Sequence, residues 1–378
     1  MKLDRKEILK ALETITVAGE GKNMVESGAV TNVVTFGDEA IVDVTLSTPA
    51  MHIKKRAEDD IRRTVHQMYP EAKVKVNIKV EAPAKPADAN TIKGKAIPGI
   101  NNIIAVASGK GGVGKSTVTA NLAATLAKMG FSVGILDADI YGPSMPMMFD
   151  VEDEKPLSVT VDGKSKMKPV ESYEIKILSI GFFTAPGQAV IWRGPMASKA
   201  LNQMIFDADW GELDFLLIDL PPGTGDIHLS IMQSLPITGA VVVSTPQAVA
   251  LADAKKAVAM FMSESINVPV LGVVENMAYF TPEELPDNKY YIFGQAGAQN
   301  LAADLGVPFL GEIPLVQSIR EAGDYGRPAA LQTNSIIENV FTEVTRNVVQ
   351  EVVARNESLP PTEAIKITTM AGCSAVKK

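Results

Sequence analysis

Residues 108–117 read Ser-Gly-Lys-Gly-Gly-Val-Gly-Lys-Ser-Thr, a glycine-rich loop that ends in a lysine and two hydroxyl residues. The apolar run 103–107 predicts a buried strand before this loop, and apolar residues at helical spacing predict a helix over 118–129. Such a strand, loop and helix predict a phosphate site, because backbone N–H groups and a helix N-terminus both attract phosphate oxygens. We expect Lys115 to reach the β- and γ-phosphates of a nucleotide and Ser116 to ligate Mg²⁺. The residues expected to bind the nucleotide are Gly109, Lys110, Gly111, Gly112, Val113, Gly114, Lys115, Ser116 and Thr117.

Acidic residues follow the apolar strands that we predict beside this loop. The run 132–136 leads to Asp137 and Asp139, and the run 214–219 ends in Asp219. In parallel α/β sheets, ligands bind at the carboxyl ends of the strands, where these carboxylates would lie. We expect Asp219 to bind Mg²⁺ and Asp137 to support the metal's shell, while Asp139 positions the attacking water. Capping of a turn or helix is the alternative for Asp137 and Asp139.

Two further segments contribute to the predicted site. Residues 220–226, Leu-Pro-Pro-Gly-Thr-Gly-Asp, follow Asp219 directly and suit a loop that changes shape on hydrolysis. Asn276 follows a predicted strand over 270–274, and its amide offers the donor and the acceptor that an adenine edge requires. His228 is expected to be a surface or packing residue, because the three histidines of the chain show no metal-ligand spacing.

The elements that must position these residues form two predicted domains. The expected boundaries are 1–82 for a small α+β domain, 83–98 for a linker, 99–355 for an α/β domain and 356–378 for a mobile tail. In the larger domain, short buried runs alternate with helical periods, which predicts a mostly parallel sheet with helices on both faces. Strands are also expected near 157–161 and 175–180, but residues 151–190 carry no recognisable function.

The composition excludes several classes of protein. The 378 residues carry a net charge of −8, which gives no general attraction to nucleic acid or to an acidic membrane surface. The sequence contains no apolar run of membrane-spanning length and does not begin like a signal peptide. Its single cysteine, Cys373, excludes a disulfide within the chain. We therefore expect a cytoplasmic protein with neither nucleic acid nor membrane as a partner.

The motifs together resemble those of the Mrp/ApbC-type iron–sulfur cluster carrier ATPases, within the MinD, ParA and nitrogenase iron protein superfamily. The resemblance rests on Lys110 inside the loop and on the runs 137–144, 192–196, 219–226, 244–247 and 275–277. It implies a P-loop NTPase fold with a deviant Walker A loop, and a homodimer that hydrolyses ATP with Mg²⁺. In such a dimer Lys110 would reach the partner's nucleotide, so the catalytic residues would be Lys110, Lys115 and Asp139. A solvated surface lysine is the alternative for Lys110.

The resemblance also implies a cargo and a set of partners. These are a labile [4Fe–4S] cluster, apoproteins that receive it, and cluster-assembly proteins. Residues 1–82 resemble the small domain of iron–sulfur assembly proteins, through the run 25–30, the hairpin that follows and the run 48–50. A cysteine commonly comes next in that family, whereas this chain has Met51, so docking rather than thiol chemistry is expected.

One departure from the carrier family concerns the cluster ligands. The family usually has Cys-x-x-Cys shortly after the Glu-Asn-Met run, but residues 278–289 contain no cysteine. Cys373 is then the one candidate iron–sulfur ligand, and a pair of chains would supply fewer thiolates than a [4Fe–4S] cluster takes. An incidental exposed thiol is the alternative for Cys373. Two hypotheses follow: an ATP-dependent cluster carrier, or a nucleotide-dependent scaffold that binds partners and no longer holds a cluster.

Overall fold

The computed structural model describes most of the chain. The described residues are 3–15, 23–36, 39–46, 51–80, 97–161, 163–183, 194–264, 266–282, 284–285 and 288–360. They divide into two compact units, one formed mainly by residues 1–88 and the other mainly by residues 89–378. Over the ranges described, every helix is too short or too polar to span a membrane.

The N-terminal unit is a small α+β fold. Its elements are α1 (Arg5–Leu12), β1 (Val30–Phe36), β2 (Glu39–Leu46), α2 (Met51–Met68) and β3 (Lys73–Val80). The strands form one sheet in the order β1-β2-β3, with β1 antiparallel and β3 parallel to β2. Ile8 and Leu12 of α1 and Ile61 and Val65 of α2 are buried, as amphipathic helices on one face of a sheet require.

The start of α1 has a simpler cap than its sequence indicates. The spacing of Asp4 and Glu7 is typical of a capping box, in which both side chains bond to the helix start. Asp4 accepts a hydrogen bond from the backbone N of Lys6 at 2.7 Å. Glu7 instead accepts a hydrogen bond from the hydroxyl of Tyr69, so its carboxylate fixes the segment after α2.

The second unit contains ten strands and eight α-helices within its described residues. The strands are β4 (Ile100–Ala107), β5 (Val133–Asp137), β6 (Leu157–Val161), β7 (Lys164–Lys168), β8 (Val170–Ser172), β9 (Ile175–Ser179), β10 (Leu213–Asp219), β11 (Gly239–Ser244), β12 (Val270–Phe280) and β13 (Phe309–Leu315). The helices are α3 (Lys115–Lys128), α4 (Met145–Met148), α5 (Gly194–Phe206), α6 (Asp226–Ser234), α7 (Ala248–Met262), α8 (Gly297–Leu305), α9 (Gln317–Asp324) and α10 (Ile336–Ser358).

Eight of these strands form one sheet in the order β13-β12-β11-β4-β10-β5-β9-β8. Neighbouring strands are parallel except β8, which runs antiparallel to β9, and β6 and β7 form a separate hairpin. From β4 the chain passes to β5 on one side, and β10 later leads to β11 on the other side. β4 therefore lies at a topological switch point, where ligands bind beyond the carboxyl ends of the strands.

Three central strands are buried over their whole length, which explains why they read as continuous apolar runs. Every residue of β5, β10 and β11 is buried. The core that these strands share with the surrounding helices includes Trp210, Phe215 and Phe261. The predicted mostly parallel sheet, preceded along the chain by a small α+β domain, is confirmed.

The sequence predictions differ from the structure at several elements. β12 extends to Phe280 rather than ending near 274, and it includes Met277 at φ +55° where its register with β13 shifts. α4, α6, α8, β7 and β8 were not predicted, and α10 ends at Ser358, beyond the predicted domain boundary at 355. The run 48–50, Trp192, Arg193 and Cys373 lie outside the described residues.

Candidate functional site

The glycine-rich loop joins β4 to α3 at the switch point of the sheet. α3 begins at Lys115, and Gly112 and Gly114 both have φ near +80°, a conformation that side chains disfavour. Gly109 lies against α7, since a Cβ at this position would be 2.1 Å from the backbone carbon of Asp253. The glycines thus allow both the curled backbone and the close packing of the loop on its neighbour.

Asp219 binds three side chains from the first turns of α3. Its Oδ2 atom lies 2.8 Å from the Lys115 ammonium and 2.6 Å from the Ser116 hydroxyl. Its Oδ1 atom accepts a hydrogen bond from the Thr119 hydroxyl at 2.7 Å. The parallel pairing of β10 with β4 sets Asp219 beside Val106, which brings the carboxylate under the loop. Lys115 and Asp219 are both buried, so this ion pair is shielded from solvent.

Asp137 lies beside Asp219 on the neighbouring strand β5, but its carboxylate has other partners. One oxygen accepts hydrogen bonds from the backbone N of Ser144, the backbone N of Met145 and the Ser179 hydroxyl. The other oxygen accepts from the backbone N of Asp139. Burial, followed by the charge of Asp219, raises the pKa of Asp137 to about 7. These bonds fix the segment 139–145 to the end of β5, and a part for Asp137 in the Mg²⁺ shell stays a prediction.

Asp139 approaches the loop lysine from the same segment. Its Oδ2 atom lies 4.0 Å from the Lys115 ammonium, and its side chain is 13% exposed. Burial raises its pKa, while the charge of Lys115 acts in the opposite direction. Asp139 is therefore near the expected phosphate positions and accessible to a water molecule, and its role in hydrolysis stays a prediction.

Asn276 contacts the glycine-rich loop itself. Its amide nitrogen donates to the carbonyl of Val113 at 2.8 Å, and a Cβ at Gly114 would be 2.2 Å from this nitrogen. Only 7% of Asn276 is exposed. The side chain that we predict to bind adenine thus also fixes the loop backbone, and the contact with a base stays a prediction.

The segment after Asp219 is attached to the same loop. The backbone N of Leu220 donates to the carbonyl of Val106, and the backbone N of Gly223 donates to the carbonyl of Ser108 at 2.9 Å. Pro222 lies 3.9 Å from the position of a Cβ at Gly111. A movement of this segment would therefore displace the phosphate-binding loop. Lys110 lies in that loop and is half-buried, and its role toward a partner subunit stays a prediction.

Sequence reasoning missed three residues of this site. Thr119 lies one turn after Lys115 on α3, so its spacing from the lysine was the available signal. Ser179 ends β9, a strand whose place in the sheet no local pattern reveals. His228, expected to be a surface or packing residue, is 1% exposed in α6 and packs close to the segment 220–225.

A metal centre away from the nucleotide site would require a separate group of ligands. In the part of the chain that the structure describes, no group of three or more His, Cys, Asp or Glu residues is arranged to bind a metal ion. The predicted iron–sulfur ligand Cys373 lies outside that part.

This geometry defines a nucleotide-binding P-loop NTPase. Residues 99–349 match the family described as NUBPL iron-transfer P-loop NTPase, and residues 5–78 match the iron–sulfur cluster assembly protein family. The chain therefore belongs to the NUBPL iron-transfer P-loop NTPases, and the expected relationship to iron–sulfur carrier ATPases is confirmed.

Similar proteins extend over both units. The chain is 41% identical over 359 residues to the iron-sulfur cluster carrier protein of Deinococcus radiodurans, which covers 94% of this chain and 97% of the relative. It is 49% identical over 259 residues to the iron-sulfur cluster carrier protein of Escherichia coli K12, at 68% of each chain. Among solved structures it resembles the nucleotide-binding protein of Archaeoglobus fulgidus in complex with ADP. That match has a TM-score of 0.54 and 41% identity, and it covers 64% of this chain and 92% of the other.

Proposed function

We propose that this protein binds and hydrolyses ATP and carries iron–sulfur clusters to apoproteins. The observation that supports the ATPase is the contact of Lys115 and Ser116 with Asp219, at 2.8 and 2.6 Å, directly below a glycine loop. The cluster as cargo is supported by relatives named iron-sulfur cluster carrier proteins, one of which aligns with 94% of the chain. For the same reason the scaffold that no longer holds a cluster is not favoured.

Lys115 changes partner when a nucleotide binds. Its ammonium pairs with Asp219 in a buried site, and breaking that pair without replacement would leave two uncompensated charges. Phosphate oxygens offer the ammonium an alternative anion, held in place by the N–H groups of the loop. The ion pair thus keeps the lysine at the phosphate position until the nucleotide arrives.

The oxygen atoms near Lys115 fit a Mg²⁺ ion. The Ser116 hydroxyl and the Asp219 carboxylate are hard oxygen donors and lie next to each other, which is the chemistry that Mg²⁺ prefers. Ser116 and Asp219 would bind the ion, and Mg²⁺ would supply charge neutralisation to the phosphates. The Thr119 hydroxyl orients Asp219 by donating to its second oxygen.

Hydrolysis then uses a second acidic residue near the lysine. Asp139 orients the attacking water, since its carboxylate is 4.0 Å from Lys115 and partly accessible. Lys110 stabilises transition-state charge on the nucleotide of a partner subunit, so the active form is a homodimer. The loop position of Lys110, one residue before Gly111, supports this assignment.

The cargo is held outside the nucleotide site. Cys373 is the one cysteine of the chain, so a dimer would offer a pair of thiolates from Cys373 residues. The remaining ligands of a [4Fe–4S] cluster would come from small thiols or from the client protein. Such incomplete ligation suits a cluster that must be released. The clients are apo iron–sulfur proteins, the residues 1–82 dock assembly partners, and the site of action is the cytoplasm.

Steady-state ATP hydrolysis with and without Mg²⁺ tests the ATPase. The variant Lys115→Ala should lose nucleotide binding and turnover, whereas Asp139→Ala should bind ATP and hydrolyse it at least about 100-fold more slowly. Lys255→Ala is the matched control, because Lys255 is an exposed lysine of α7. Turnover that survives Lys115→Ala, or that is independent of Mg²⁺, would contradict the proposal.

A further inference from the structure

His228 is a buried polar side chain next to the nucleotide site. It lies in the first turn of α6, only 1% of it is exposed, and its backbone N donates to the carbonyl of Gly225 at 3.0 Å. Among the described residues, neither ring nitrogen has a hydrogen-bond partner. An unpaired buried polar group is costly, and in a native protein it calls for a functional or conformational explanation.

The ring faces both ends of the segment that follows Asp219. The carbonyls of Pro221 and Gly225 are near enough to raise the pKa of the imidazole, although neither reaches hydrogen-bond geometry. Burial outweighs them and, together with the charge of Lys115, lowers the pKa of His228 to about 4. The ring is therefore neutral near pH 7 and has one N–H donor and one acceptor.

The segment between these two carbonyls is the one attached to the phosphate-binding loop. Gly223, midway along it, donates to the carbonyl of Ser108, and Pro222 lies close to Gly111. The ends at Leu220 and Pro221 are buried, whereas Pro222, Thr224 and Gly225 are exposed. A small shift of the segment would bring one carbonyl or the other onto the single N–H of the ring.

We propose that His228 is a positioning residue for ATP hydrolysis, which holds the segment 220–225 in its active arrangement through a hydrogen bond to the carbonyl of Pro221 or Gly225. The inference rests on the proposed ATPase function. It assigns no proton transfer to the ring, which acts on the phosphates only through the backbone of the segment. Its loss should therefore slow turnover while leaving ATP binding nearly intact.

Variants at this position separate the hydrogen bond from packing. His228→Leu approximately keeps the side-chain volume and removes the N–H donor. His228→Asn and His228→Gln keep an N–H donor on a shorter and on a longer side chain. Thr345→Val is the matched control, since Thr345 is fully buried in α10 and its hydroxyl has no partner among the described residues. For each variant kcat, KM for ATP, Kd for ADP and the thermal midpoint are measured.

We expect His228→Leu to lower kcat about tenfold with KM and Kd within about twofold of wild type. One of the two amide variants should recover kcat to within about threefold, and Thr345→Val should match wild type. The inference is overturned if His228→Leu keeps kcat within twofold, or if both folded amide variants fall as far as leucine. A wild type without ATPase activity would instead overturn the proposed function itself.

A spectroscopic measurement covers the case in which His228→Leu does not fold. The chain has three histidines, so the ring ¹⁵N signals of the wild type can be assigned with His52→Gln and His66→Gln. Adding a non-hydrolysable ATP analogue with Mg²⁺ should move one His228 ring nitrogen to the shift of a hydrogen-bonded donor. Unchanged His228 signals in protein that has bound the analogue would contradict the inference.

Discussion

Asp219 divides its two oxygen atoms between different tasks. Oδ2 faces Lys115 and Ser116, which are the expected phosphate and Mg²⁺ residues, and Oδ1 is bound by Thr119. A carboxylate fixed through one oxygen presents the other in a defined direction. The orientation of the proposed metal ligand therefore depends on a threonine that no nucleotide-binding pattern includes.

Replacement of Thr119 tests this dependence. Thr119→Val should raise the Mg²⁺ concentration required for half-maximal hydrolysis by about tenfold, because the hydrogen bond that orients the proposed metal ligand Asp219 is lost. Thr125→Val is the matched control, because Thr125 is also buried in α3. The hydroxyls of Thr119 and Thr125 both contact the carbonyl four residues earlier, of Lys115 and Asn121 respectively, but only that of Thr119 also contacts Asp219. Equal Mg²⁺ requirements in the two variants would contradict the role of Thr119.

The residue scale also shows what sequence patterns can predict. Lys115, Ser116 and Asp219 meet as expected, because a phosphate-binding loop and a strand ending in Asp specify a known local geometry. The bonds of Asp137 to Ser179 and of Asn276 to Val113 cross between distant segments. Such contacts depend on strand order, which local periodicity does not contain.

At the scale of elements, the glycine-rich loop and α7 are packed backbone against backbone. A methyl group at Gly109 would lie 2.1 to 2.4 Å from backbone atoms of Asp253 and Ala254, distances that no side-chain rotation can relieve. The tight turn is thus fixed by a helix that follows it by more than a hundred residues. α7 therefore supports the loop through backbone packing.

Gly109→Ala should consequently lower the free energy of unfolding by about 2 kcal/mol or more and abolish ATP binding. Gly323→Ala is the control, because a Cβ at Gly323 in α9 meets nothing within 4 Å and alanine favours helix. The comparison uses the thermal midpoint and the Kd for ADP. A Gly109→Ala protein as stable as Gly323→Ala would contradict the close packing.

The fully buried strands of the large sheet were predicted well, whereas some of the partly exposed strands were missed. β10 and β11 follow their apolar runs closely, since burial on both faces leaves a continuous signal. β6 lies where a strand was expected, near 157–161, whereas its mostly exposed partner β7 was not predicted. β12 continues past Asn276, where Met277 adopts φ +55° and the register between β12 and β13 shifts. Methionine is not a residue type that predicts such a conformation.

At the scale of the whole molecule, two buried groups give stability opposite dependences on pH. The pKa of His228 is lowered to about 4, so the unfolded chain binds more protons below about pH 6.5 and acidification destabilises the fold. The pKa of Asp137 is raised to about 7, so the folded chain binds more protons between about pH 4 and 7 and acidification favours the fold there. The two effects oppose each other in the wild type.

Replacement of His228 should remove its contribution to the pH dependence of stability. When the pH falls from 7 to 5, the wild type should lose about 2 kcal/mol more of its free energy of unfolding than His228→Gln does. Denaturant unfolding at the two pH values measures the difference, and His66→Gln, in the N-terminal unit, is the control. A difference between His228→Gln and wild type that does not change with pH would contradict a neutral, buried His228.

The proposed function combines a nucleotide site with a cluster bound elsewhere, so its central claim is that ATP hydrolysis and cluster delivery belong to one protein. The most direct measurement is transfer from anaerobically reconstituted protein to an apo-acceptor, with Mg²⁺ and ATP, for wild type, Lys115→Ala and Cys373→Ser. We predict that the wild type holds about four irons per dimer and transfers the cluster faster with ATP. Transfer by Lys115→Ala should no longer respond to ATP, and Cys373→Ser should lose its iron. A wild type that retains no cluster under any thiol condition, or that transfers it equally in Lys115→Ala, would contradict the account.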